Sequence, residues 1–183
     1  MVATLPLQFD RHFLTACIQG DVQRQKELYE VFAPTMFGIC LRYASDYHQA
    51  EDILQEGFIK VFTHLDRFRH EGSFEGWLKR VFINTAIEHY RRSLKFNQLE
   101  DLTQVVQTVE EPTAHEELQV DDLLQLIQEL APGYRTVFNL YAIEGYSHKE
   151  IGKLLNISVG TSKSQLARAR LALQQRVKAL HLV

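Results

Sequence analysis

Three observations predict an all-α protein made of two small helical domains. Apolar residues recur at three- and four-residue spacing along most of the chain, no segment alternates like a strand, and the helical pattern lapses in one acidic stretch around Pro112. The boundaries this gives are a first domain over residues 1–95, a flexible acidic linker over 96–115, and a second domain over 116–183. A length of 183 residues suits two small cores. A hydrophobic content of 45% argues against a disordered chain. The start, MVATLPLQFD, lacks the basic and apolar runs of a secretory signal, and no uncharged apolar run approaches membrane-span length. Cys17 and Cys40 match no metal spacing and read as reduced core thiols. A cytoplasmic protein without membrane insertion is the expectation, as a monomer when free.

The elements follow in order. Asp21 is a cap for VQRQKELYEVF, and Pro34 should start or kink a separate segment, TMFGICLRYA. In DYHQAEDILQEGFIKVFTHL, the residues Ile53, Leu54, Phe58, Val61, Phe62 and Leu65 form one apolar stripe. RFRHEGS breaks the pattern at Gly72, and Ser73 caps FEGWLKRVFINTAIEHYRRSLK. Beyond the linker come HEELQVDDLLQLIQEL, the punctuation Pro132–Gly133, and YRTVFNLYAIEG. Gly145 ends that helix, and Ser147 with Glu150 forms a capping box for HKEIGKLL. Asn156 suits a left-handed turn, and Ser158 caps the last helix. Ile151, Leu154, Ile157, Val159 and Leu166 are the expected core of this final helix pair.

Charge is distributed unevenly. Residues 1–98 balance twelve bases against twelve acids, 99–122 carry eight acids and no base, and 123–183 carry eight bases against three acids. The net charge of −3 therefore hides a basic second domain. After Glu150 no acid occurs, and Lys153, Lys163, Arg168, Arg170, Arg176 and Lys178 follow. A basic helix-turn-helix points to duplex DNA, entered by the N-terminal residues of the second helix. Thr161, Lys163, Ser164, Gln165 and Arg168 are the polar residues of its first turns. Six phosphate contacts would give a salt slope of about −5, at roughly −0.9 per contact.

The stretch YSHKEIGKLLNISVGTSKSQLARARLAL resembles the promoter-binding domain of sigma-70 family factors, particularly the extracytoplasmic-function group. The resemblance implies −35 recognition by Ser158, Thr161, Lys163, Ser164, Gln165 and Arg168. Two positions depart from the pattern: Ser162 stands where the family is usually apolar, and Gln165 where it is often Arg.

AEDILQEGFIKVFTHLDRFRHEGSFEGWLKRVFINTAIEHYRR is similar to the other sigma domain, which binds core polymerase and opens the −10 element. DRFRHEGSFEGWLKR interleaves aromatic and basic residues, as single-strand capture needs, because each base stacked on an aromatic ring contributes about 1–3 kcal/mol. By the resemblance, Phe68 would line a base pocket and Asn84 would bond −10 bases. Arg69, Trp77 and Arg80 would lie alongside, and Arg91 and Arg92 would meet phosphates. Phe74 and Trp77, three residues apart, taken alone suit the core better than a DNA contact. Glu51, Asp52, Gln55 and Glu56 lie within about one turn opposite the apolar stripe. Taken alone they are a solvated face; the resemblance makes them the surface that docks core RNA polymerase. It also implies an anti-sigma factor as a partner.

Enzyme chemistry has no support in the pattern. Eight scattered histidines form no metal motif, and there is no phosphate-cradling glycine loop or nucleophile elbow. The expectation is a non-enzymatic protein with no cofactor and no metal. A conventional duplex-binding regulator shares the C-terminal motif, and a helical adaptor is the alternative without DNA.

Overall fold

The computed structural model describes residues 9–97 and 120–181. Most of the expected acidic linker, 96–115, lies outside the described residues. Two compact units divide the chain, residues 1–86 and 87–183.

In the first unit Asp10 accepts from the Phe13 amide at 2.8 Å and starts α1 (Arg11–Ile18), a helix the sequence reading passed over. Asp21 caps α2 (Val22–Tyr43), and Asp46 caps α3 (Tyr47–His64) by accepting from the Gln49 amide at 2.8 Å. That bond, with a second from Ser45, holds the Asp46 carboxyl below the usual carboxylate range. A 3₁₀ turn (Leu65–Arg67) and a short loop lead to α4 (Phe74–Asn97), where the Gly76 amide donates to Ser73 Oγ at 3.3 Å.

Pro34 does not divide α2; the helix runs unbroken through it. Proline removes one backbone donor on an exposed face, while Phe32, Met36 and Ile39 bury the turns on either side. Tertiary burial outweighs the local penalty.

Aromatic side chains run through this core. Phe9 meets Phe32 at 5.3 Å between ring centroids, Phe32 meets Phe74 at 5.6 Å, and Phe74 meets Phe68 at 5.1 Å. On the other side Phe58 of α3 meets Phe82 of α4 edge-on at 5.1 Å. Gly57 makes that approach possible, since a Cβ there would lie 2.3 Å from the Phe82 ring. Cys17 and Cys40 are buried free thiols, and burial pushes them up to about 11 and about 12.

In the second unit α5 (Val120–Gln128), α6 (Pro132–Phe138) and α7 (His148–Leu155) pack on α8 (Val159–His181). Pro132 opens α6, which continues as a π-helical turn (Asn139–Ile143) closed by Gly145 at φ 77°. Leu126, Ile127, Leu130, Ala169 and Leu173 form a core cluster. Two arginines serve the fold here. Buried Arg135 donates to the Gln128 carbonyl. Arg176 donates to the carbonyls of Leu126 at 3.3 Å and Glu129 at 3.4 Å, and pairs with the Glu129 carboxylate. Both thus satisfy carbonyls at the end of α5, where helix acceptors have no partner of their own.

Candidate nucleic-acid interface

The α7–α8 turn is built as its sequence suggests. Ser147 Oγ accepts from the Glu150 amide at 3.3 Å, and the Glu150 carboxylate accepts from the Ser147 amide at 2.8 Å. Bonds from the Ser147 hydroxyl and amide hold the Glu150 carboxyl below the usual carboxylate range. Asn156 takes the left-handed conformation, φ 55° and ψ 47°. Gly152 lets the chain fold back, since a Cβ there would lie 2.9 Å from the Ile157 carbonyl. Ser158 Oγ accepts from the Thr161 amide at 2.9 Å and starts α8.

The expected readers divide around α8. At about 3.6 residues per turn, Thr161, Ser164 and Arg168 share one exposed stripe. Gln165 is half-buried at its edge, with its amide close to Gly133 and its Oε1 meeting no donor among the described residues. Arg168 donates to the Tyr134 hydroxyl at 3.2 Å. Lys163 is exposed on the far flank, on the side of Arg170, whose guanidinium lies 5.7 Å from the Tyr141 ring.

One expected core position is corrected. Val159 is 43% exposed, whereas Ser162 is fully buried in the stripe that continues through Leu166, Ala169 and Leu173. Val159 sits at the very start of α8, beyond the reach of the core. Ser162 Oγ lies 2.9 Å from His148 Nδ1, and the imidazole stacks on Tyr141 at 4.5 Å. A polar residue at an apolar position was legible in the sequence; its partner fourteen residues earlier was not.

In the first unit Trp77, Arg80 and Asn84 fall on one stripe of α4. Trp77 is half-buried, Arg80 and Asn84 are exposed. The buried face belongs to Phe74, Leu78, Phe82 and Ala86. Arg91 and Arg92 are exposed further along α4, within the second unit, where Arg91 donates to the Leu154 carbonyl. Phe68 is only 8% exposed. Its ring is held by Phe74, by Trp77 at 5.8 Å and by His70 at 4.8 Å. It lines an open cavity of about 420 Å³ with exposed Arg69 and His70 on one side and Arg11 and Thr15 of α1 on the other.

On α3, Asp52 and Gln55 are exposed and Glu51 and Glu56 half-buried. Glu56 pairs with Lys60 at 2.8 Å, and Glu51 lies 3.6 Å from His48. Ile59, 65% exposed, continues the same stripe and was missed as an apolar member of the acidic face. Ile53, Leu54, Phe58 and Val61 turn inward.

A capped helix, a left-handed turn and an exposed polar second helix define the second unit as a helix-turn-helix domain. Residues 121–173 match the family model described as Sigma-70, region 4, and residues 28–95 the one described as Sigma-70 region 2. The chain is 32% identical to the ECF RNA polymerase sigma factor SigW of Bacillus subtilis, over 88% of this chain and 93% of that one. It is 31% identical to SigM of the same organism, over 85% and 93%. Identity to the RNA polymerase sigma-H factor of Pseudomonas aeruginosa is 28%, over 93% and 95%. The fold is also like that of the sigma factor RpoE of Bartonella quintana, solved in complex with the anti-sigma factor NepR. The TM-score is 0.53 at 22% identity, covering 84% of this chain and 96% of that one. The chain belongs to the sigma-70 family, in its extracytoplasmic-function group. It is a sigma factor of transcription initiation. Among the described residues no helix is long and apolar enough to cross a membrane.

Proposed function

We propose that this sigma factor binds core RNA polymerase and directs it to promoters by gripping two DNA forms with two different surfaces. The −35 duplex is read by α8, with Thr161, Ser164 and Arg168 toward base edges. Ser158 lies at the helix start, Gln165 at the edge, and Lys163 on a phosphate-facing flank. The melted −10 strand runs over Trp77, Arg80 and Asn84 of α4, with Phe68 and Arg69 at the base pocket and Arg91 and Arg92 on phosphates. The observation that carries this reading is the aromatic- and arginine-lined cavity of about 420 Å³ beside the exposed α4 stripe, in a different unit from the helix-turn-helix. A regulator that grips only duplex DNA has no use for such a cavity; strand separation needs a place for an unstacked base.

Polymerase is met by Glu51, Asp52, Gln55 and Glu56 of α3, with Ile59 adding an apolar contact. The protein acts without catalysis of its own, in the cytoplasm, and is held in reserve by an anti-sigma factor. The solved neighbour bound to such a factor supports that last expectation.

The test is promoter opening with purified core polymerase on a random-sequence duplex pool. Heparin-resistant complexes are recovered and unpaired thymines mapped with permanganate. Opening that requires this protein and falls in Phe68→Ala and Asn84→Ala supports the reading. Duplex binding by the protein with neither core binding nor opening would make it a conventional regulator. The docking surface is tested separately: Asp52→Ala/Glu56→Ala should weaken core binding, and unchanged binding would remove the assignment.

A further inference from the structure

The loop between the 3₁₀ turn and α4 contains two residues with left-handed backbone, Gly72 at φ 97° and His70 at φ 57°. Glycine adopts this conformation freely, whereas a histidine there carries strain that its surroundings must hold. The conformation sets the His70 ring against Phe68, with centroids 4.8 Å apart and planes inclined at 57°. The rest of the Phe68 ring is occupied, by Phe74 at 5.1 Å and by Trp77 at 5.8 Å. At 8% exposure Phe68 offers an entering base almost no face. His70 is exposed and lines the same cavity.

We propose that His70 is the ring on which a captured single-stranded base stacks, with Phe68 as the platform beneath it. This rests on the strand-capturing function proposed above and changes which residue does the capturing. The imidazole is planar and presents a π face, which suffices for stacking on any base. Arg11 of α1 and Arg69 line the cavity and suit the flanking phosphates. Asp66 and Glu71 line it too, so the two cations are opposed, and stacking rather than net charge holds the base. Arg11 brings α1 into strand recognition.

The experiment uses holoenzyme and a labelled single strand, the non-template −10 region of a promoter recovered from the random pool as an open complex. His70→Gly and His70→Asn remove the ring at a backbone position both residues tolerate. Each is expected to weaken strand binding about tenfold, within the range of losing one stacked base, while the melting temperature of the free protein holds or rises. His70→Phe retains a ring and is expected to stay within twofold of the parent. Parental binding in His70→Gly together with a loss in Phe68→Ala would overturn the role of His70 and leave strand capture in place. Parental binding in both would overturn strand capture in this loop. An equal loss in His70→Phe and His70→Gly, with both folded, would overturn stacking in favour of a polar contact from the imidazole.

Discussion

Gly57→Ala adds one methyl group at the tightest contact between α3 and α4. Its Cβ would lie 2.3, 2.6 and 2.9 Å from three carbons of the Phe82 ring. Ordinary van der Waals contact begins at 3.4 Å, so the ring must retreat by more than 1 Å from the nearest position. Phe82 is fully buried and edge-on to Phe58, so retreat disturbs a second ring. Overpacking of this kind costs about 1–3 kcal/mol, and the severity of the overlap argues for the upper end. Alanine in place of glycine in a helix returns about 1 kcal/mol. The net is a destabilisation of about 2 kcal/mol, or about 8–16 °C for a unit of fewer than 100 residues. Gly38 in α2 is the control, because a Cβ there meets nothing within 4 Å. Gly38→Ala should therefore stabilise by about 0.5–1 kcal/mol. Urea unfolding followed by far-UV circular dichroism on the two variants reads a difference of about 3 kcal/mol. Equal midpoints would refute the claim that α3 and α4 meet at van der Waals limit through Gly57. Gly57→Ala/Phe82→Leu should recover part of the loss.

Four further outcomes are expected. Ser147→Ala should cost the second unit about 1 kcal/mol by removing the α7 cap. The Glu150 carboxyl is depressed when folded, so its contribution is present above the usual carboxylate range and lost as pH falls through the folded value; Glu150→Gln should flatten that acid loss in thermal melts. A double-mutant cycle of Ser162→Val and His148→Leu should give a coupling of about 1 kcal/mol, with the double variant more stable than Ser162→Val alone, as read by urea unfolding. Iodoacetamide at pH 8 should label Cys17 and Cys40 slowly in the native protein and rapidly in urea, because their raised thiols stay protonated and buried.

The capping residues were the most legible part of this chain. Asp21, Ser73, Ser147 and Ser158 each sit before an apolar-periodic run and each receives the amide bond its side chain suggests. Asn156 was readable for the same local reason. Pro34 misled, because its penalty is local while the burial that keeps α2 whole is not. The basic surplus of residues 123–183 also misled: Arg135 and Arg176 count toward it, yet they satisfy carbonyls of α5. Non-local contacts were illegible. Neither the crowding of Gly57 by Phe82 nor the cavity between α1 and the 65–71 loop leaves a periodic trace in sequence. His70 carried a faint signal, being a bulky residue in a loop where turn chemistry favours glycine or asparagine.

The contact between buried Ser162 and half-buried His148 explains how an unusual residue can sit in the core of a recognition helix. Leu166, Ala169 and Leu173 supply an apolar stripe that fixes which side of α8 faces inward, but apolar contact is non-directional and tolerates small rotations. A hydrogen bond does not. The 2.9 Å contact between Ser162 Oγ and His148 Nδ1 forms at one rotation of α8, and His148 is itself held by stacking on Tyr141. One residue of slip turns the helix by about 100°, which would carry Thr161, Ser164 and Arg168 off their shared outward stripe. The hydroxyl costs desolvation when buried, and its bond roughly offsets that cost, so little net stability follows. Orientation is what it contributes. A single polar contact at the edge of the core thus sets the direction in which the whole exposed stripe of α8 points.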